Sequence, residues 1–290
     1  MTASAAQVGW DRTQDALRDE VRRVAALLRS IREPQAPAVG QWNIAEVALH
    51  LAQAWLVVSG LARRDLSRIY AVMPSLAGLA GDALIRTIWE LGEVTTLGVR
   101  SDPERDPGVL ADCLETRAEE FFSECAGRSA DELVPWLVEG STVRLSTLTG
   151  HLLNETIVHG YDIARAARCR WQIEPARAAM VLSGFIIPVI RALDPRELVD
   201  ADKAAGLQAV YDLHIRGGNC YHFLFEEGVL RIEEPSSRRV DCHISAEPVA
   251  FLMVVWGRRS QWSAIVRGKL VAWGRRPWLG PRLRLLLRNP

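Results

Sequence analysis

The longest strongly apolar run in the chain, Phe251 to Trp256, falls far short of the ~20 residues of a bilayer-spanning helix, so no membrane span is expected. Met1 to Trp10 lacks a basic segment followed by an apolar one, so no secretory signal is expected either. Cysteine is sparse: Cys113, Cys125, Cys169, Cys220 and Cys242 are odd in number, widely spaced and never in C-x-x-C. That excludes a disulfide framework and a cysteine-rich zinc site, and points to a cytoplasmic protein with reduced, mostly structural thiols. G-x-G-x-x-G, P-loop and G-x-S-x-G patterns are absent as well.

Net charge is missing too, with 35 Lys+Arg against 35 Asp+Glu, but the balance hides a split. After Glu247 there is no acid, while Arg258, Arg259, Arg267, Lys269, Arg275, Arg276, Arg282, Arg284 and Arg288 are all basic. The preceding chain carries the matching acidic excess, which opposes nucleic-acid binding, and the tail has no aromatic-basic recognition motif. The split predicts complementary packing of two halves.

What is present is enough chain, 290 residues and 49% apolar, for one large or two average domains. From Asp11 to about Leu193 the apolar residues recur at helical spacing: Leu17, Val21, Val24, Ala25, Leu28 and Ile31 form the first stripe. A Pro/Gly-containing stretch, 33–41, ends that helix. Asn43 then reads as an N-cap with Glu46 in capping-box position. Further helices are expected around 81–98, 108–125, 145–168 and 174–192, punctuated by Pro74, Pro103, Pro107 and Pro135. This predicts a four- or five-helix bundle over 1–195. Beyond a linker near 195–205 the period shortens, with strands at 207–215, 221–225, 229–232 and 240–244, a Glu227-Gly228 turn and an apolar helix from Val249 to Trp256. Residues 205–290 therefore read as a small α+β domain.

Chemistry concentrates in one stretch, Gly150 to Asp162. Glu155 and His159 are four apart, so on a helix their ends converge on one ion. His151 is too distant to be the third ligand, because eight helical residues rise roughly 12 Å. His50 is the better choice: it lies beside Val47, Leu51 and Ala54 and would point into the bundle, where metal sites are built from facing helices. A hydrogen-bonded core histidine is the competing reading of His50, and a solvated pair that of Glu155 and His159. His214, His222 and His243 fall on expected strands without acid or cysteine at metal spacing, and read as structural.

Two segments resemble a known family. Trp42-Asn43-Ile44-Ala45-Glu46-Val47-Ala48-Leu49-His50-Leu51 is similar to the W-[ST]-x-x-E-x-x-x-H-L segment of the DinB-like superfamily, with Asn43 in place of Ser or Thr. Glu155-Thr156-Ile157-Val158-His159-Gly160-Tyr161-Asp162-Ile163-Ala164 resembles the E-x-x-V-H-x-x-D-[LI]-A signature of the mycothiol-dependent maleylpyruvate isomerase family. The resemblance spans about residues 10–192. It implies a divalent metal, usually zinc, on His50, Glu155 and His159, with mycothiol at the open position. A metal-bound thiol loses its proton and becomes a nucleophile. In the isomerase reaction this thiolate adds to an activated double bond, rotation follows and the thiol leaves; related members transfer the thiol instead. Asp162 matches the family aspartate and is either a group orienting a ligand or cofactor, or half of a surface pair with Arg165. Trp42 and His151 are the cofactor-side candidates; His151 either lines the pocket above Glu155 or lies at the surface.

The segments 240–252 and 266–274 resemble the sterol-carrier-type domain, in which "I-x-G-D-P-E-A-F" precedes "x-G-x-L-x-V-x-G". Joined to such a bundle, that domain is expected to close the active site, with one of Arg267, Arg275 or Arg276 meeting an anionic group; Arg276 is the catalytic candidate. Together these readings predict a metal- and thiol-dependent isomerase or transferase for a small electrophile such as an unsaturated acid, monomeric or weakly dimeric. A carrier of an apolar ligand in the C-terminal domain is the alternative.

Overall fold

The computed structural model describes residues 5–72, 85–196 and 198–288. The chain divides between Gln172 and Ile173 into two compact units.

In the first unit the stripe of Leu17, Val21, Val24, Ala25 and Leu28 is the buried face of α1 (Ala5–Arg29). A short ribbon, β1 (Pro37–Val39) and β2 (Trp42–Asn43), leads directly into α2 (Ile44–Arg63). Its start is the expected capping box. The Asn43 side chain accepts from the Glu46 amide at 3.0 Å, and Glu46 Oε2 accepts from the Asn43 amide at 2.9 Å. There follow α3 (Ser67–Val72), α4 (Leu91–Ser101) and α5 (Pro107–Cys125), the last opened by Pro107 with Asp106 as its cap. The helix expected over 81–98 begins only at Leu91, after one 3-10 turn, Ile88–Glu90. Residues 73–84, with Pro74 and the start of that expected helix, lie outside the described residues. A second ribbon, β3 (Leu133–Pro135) and β4 (Thr142–Arg144), delivers α6 (Leu145–Ala166).

The core is a four-helix bundle in which α1 and α2 each pack on both α5 and α6. Helix α6 is buried nearly all round. Two indole-to-hydroxyl bonds fix it to its neighbours: Trp10 Nε1 donates to Thr149 Oγ1 at 2.7 Å, and Trp55 Nε1 to Thr156 Oγ1 at 3.3 Å. Gly160 sets its approach to α1, since a Cβ there would stand 2.8 Å from Val24 Cγ2 and 3.2 Å from Trp171 Cζ2. By length and composition two helical stretches, Ile44–Arg63 and Pro175–Ala192, could cross a membrane; the apolar window of the first is 78% buried within the protein, as in a core helix.

The second unit opens with α7 (Pro175–Val181), a π-helical segment (Leu182–Ile186) and α8 (Ile187–Ala192). Pro188 has no N–H to offer the carbonyl four residues back and crowds it, and the ladder widens just before it. A single turn, α9 (Ala201–Ala204), precedes β5 (Ala209–Ile215), β6 (Cys220–Glu226), β7 (Val229–Glu233) and β8 (Cys242–Ala246). Then come α10 (Pro248–Val255), α11 (Gln261–Val266), β9 (Leu270–Trp273) and α12 (Leu279–Leu286). The sheet order is β7-β6-β5-β8-β9, antiparallel except for β5 with β8. Glu227 and Gly228, at φ 51 and 74, make the expected hairpin turn. Helix α7 packs on α10, and α8 on β7. The division of the chain thus precedes the linker expected at 195–205, because the helix expected to close the bundle covers the sheet unit instead. Several bases of the tail find acids within this unit: Lys269 pairs with Glu247 at 3.3 Å, Arg275 with Asp241, and Arg276 approaches Asp241 at 3.9 Å.

Candidate metal centre

The capping box fixes where α2 starts, and His50 follows two turns in, facing α6. Glu155 and His159, one turn apart on α6, meet it. His50 Nε2 lies 3.4 Å from Glu155 Oε2, and His159 Nε2 lies 3.3 Å from the same oxygen. The two imidazoles stand edge to face with centroids 4.8 Å apart. One donor atom from each residue falls within 4.8 Å of the others, the one such group among the described residues. All three side chains are only 11–13% exposed. Two imidazoles and one carboxylate, pooled and largely dehydrated, fit a zinc-type divalent ion with a position to spare.

The electrostatics fit the same use. Burial pushes the Glu155 carboxyl up, but the His159 and His50 imidazoles outweigh it and hold it well below the ordinary range. Burial disfavours the His159 imidazolium, yet Asp162 and Glu155 prevail and push it up to about 9. Without a metal the proton held on His159 offsets part of the buried carboxylate charge, a role a dication would take over. Asp162 is fully buried, with Oδ2 3.3 Å from His159 Nδ1. Arg165 turns elsewhere, donating to the Ala38 carbonyl at 2.8 Å.

Trp42 flanks the group, its ring 5.1 Å from that of His50. His151 is buried rather than at the surface, because α6 is enclosed on that side too; burial holds it below its ordinary pKa against the pull of Glu155. Its Nε2 stands 3.7 Å from Glu155 Oε1. The residue that sequence reasoning missed is Asn154, 1% exposed, whose Nδ2 donates to Glu155 Oε1 at 3.1 Å. Helical spacing could not reveal it, since neighbours in sequence point about 100° apart. Within the second unit, Arg276 donates to the Gln208 carbonyl at 3.0 Å, and Arg267 to Ser263 Oγ. His243 bonds Asp212 at 2.8 Å and stacks on Trp273. All five thiols are free, and burial pushes Cys125 up to about 12 and Cys242 up to about 11.

The family model of the mycothiol maleylpyruvate isomerase N-terminal domain matches residues 17–164, over half the chain and all three donor residues. The chain belongs to the mycothiol maleylpyruvate isomerase family. The SCP-2 sterol transfer family matches residues 190–274, so this member joins an isomerase-type bundle to a sterol-carrier-type unit, as the sequence resemblances predict. A solved mycothiol-dependent maleylpyruvate isomerase has the same fold, with TM-score 0.51 and 12% identity over 91% of this chain and 92% of that one. A mutant of that isomerase aligns over the same shares at 10% identity and TM-score 0.47. No curated protein sequence matches the chain.

Proposed function

We propose that this family member is a metal- and thiol-dependent isomerase or S-transferase acting on a small electrophile such as an unsaturated acid, with mycothiol as the thiol. The observation that carries the reading is the convergence of His50, Glu155 and His159 in one buried group. These residues would hold a divalent ion, zinc by donor type, which when bound lowers the pKa of a coordinated thiol. The chain's own residues do the rest. Asp162 keeps the His159 ring turned with Nε2 toward the shared position. Trp42 walls off the His50 side, and His151 lines the approach above Glu155. Arg276 is assigned to an anionic group of substrate or cofactor. Burial keeps Cys125 and Cys242 protonated, so neither is a ready thiolate at neutral pH. A cytoplasmic monomer or weak dimer remains the expected form.

Metal analysis of the purified protein beside His50→Ala and His159→Ala tests the ligand set; full occupancy in both variants would sink it. The loaded protein is then assayed with several low-molecular-weight thiols against unsaturated acids and epoxides, with and without Arg276→Ala. Turnover independent of any thiol would overturn the thiol assignment.

A second reading rests on the sheet unit. An apolar cavity of about 250 Å³, lined by Ile244, Phe251, Val254, Ile265, Leu270 and Leu283 among others, would hold an aliphatic ligand. Mass spectrometry of lipid co-purified with a metal-free but folded protein would favour this carrier role over catalysis.

A further inference from the structure

The two oxygens of Glu155 have different surroundings. Oε2 faces both imidazoles, at 3.3 and 3.4 Å. Oε1 is bonded by Asn154 Nδ2 at 3.1 Å and approached by His151 at 3.7 Å, beyond hydrogen-bond reach. A carboxylate with both oxygens free can close onto a cation through either one or both. A bidentate carboxylate fills the position that a thiol needs. Asn154 is 1% exposed, in a helix held by buried bonds on both sides, so its amide has little freedom to release the oxygen. Leaving Oε1 buried without its donor is unfavourable, which favours closure onto the cation instead.

We propose that Asn154 is a positioning residue that holds Glu155 to one ligand oxygen, Oε2, and so keeps a coordination position open for the thiol. The inference rests on the metal reading above and concerns coordination number rather than turnover. Asn154→Leu removes the donor at similar size. Asn154→Asp keeps the shape but presents an acceptor that repels Oε1.

The test is the visible spectrum of the cobalt(II)-substituted protein, titrated with cobalt alone and with far-UV circular dichroism as the folding check. Four-coordinate cobalt absorbs more strongly in the visible than five-coordinate cobalt. The expected result is a four-coordinate spectrum in the wild type and weakened bands in both variants, with cobalt still bound. Wild-type spectra in the folded variants at full cobalt occupancy would overturn the proposal. If Asn154→Leu does not fold, Asn154→Asp decides alone. A wild type that takes up no cobalt refutes the metal reading itself, an outcome distinct from failure of the Asn154 assignment.

Discussion

In the metal-free chain His159 carries a proton up to about pH 9, because Asp162 and Glu155 together outweigh its burial. A metal must displace that proton. Apparent affinity should therefore climb about tenfold per pH unit and level off near pH 9. At pH 7 the protein sits two units below the break, so proton competition weakens binding ~100-fold, roughly 3 kcal/mol. Asp162→Asn removes one of the two carboxylates. Its break should move down toward the ordinary histidine value of 6.5, while above pH 9 the variant binds ~10–100-fold more weakly for want of a ligand-orienting group. The two curves should thus approach each other toward acid, and cross where the break has fallen by more log units than the affinity lost. Competition against a chromophoric chelator across this range, at fixed ionic strength, measures both. A wild-type affinity independent of pH between 6.5 and 9, or an unmoved break in Asp162→Asn, would refute the reasoning. The linked stability has a definite sign: a raised folded-state pKa stabilises the metal-free fold fully below pH 6.5, and on the order of 3 kcal/mol is lost as pH rises through 9.

Gly160→Ala should cost about 1–3 kcal/mol, through the contacts a Cβ makes with Val24 and Trp171; Val24→Ala should restore part of it in a thermal double-mutant cycle. Asn43→Ala should cost about 1 kcal/mol by urea unfolding, through loss of the α2 cap. Glu227→Gly should raise stability by about 0.5–1 kcal/mol, the left-handed penalty relieved at φ 51 less the entropy that glycine adds to the unfolded chain; no gain in chemical denaturation would refute strain at this turn.

The legible parts of this molecule are those written in short-range chemistry. Asn43 and Glu46 announce a helix start through their own hydrogen bonds, and the Glu155–His159 spacing maps onto one helix face whatever else surrounds it. Glu227-Gly228 similarly carries its turn in its own backbone preference. What periodicity could not supply was the partner of an apolar face. The 175–192 stripe suits a bundle or a sheet equally well, and only packing on β7 and α10 decides for the sheet. Helices as short as α11 and α12 hold too few turns for a periodic signal, so the end of the second unit read only as mixed α+β. Asn154 stayed hidden because its role depends on a side-chain bend toward its neighbour, not on a face.

The burial of Cys125 and Cys242 has a consequence for how such a catalyst would age. Enzymes that attack electrophiles with a resident cysteine are consumed when an adduct fails to leave. Here the buried sulfurs are held as thiols far above neutral pH, so the polypeptide offers little for an electrophile to capture at those positions. On the proposed thiol-dependent reading the expendable component would be a small molecule, replaced from solution. Exposure to excess electrophile should accordingly leave the intact mass unchanged except for adducts at accessible sulfurs such as the exposed Cys169.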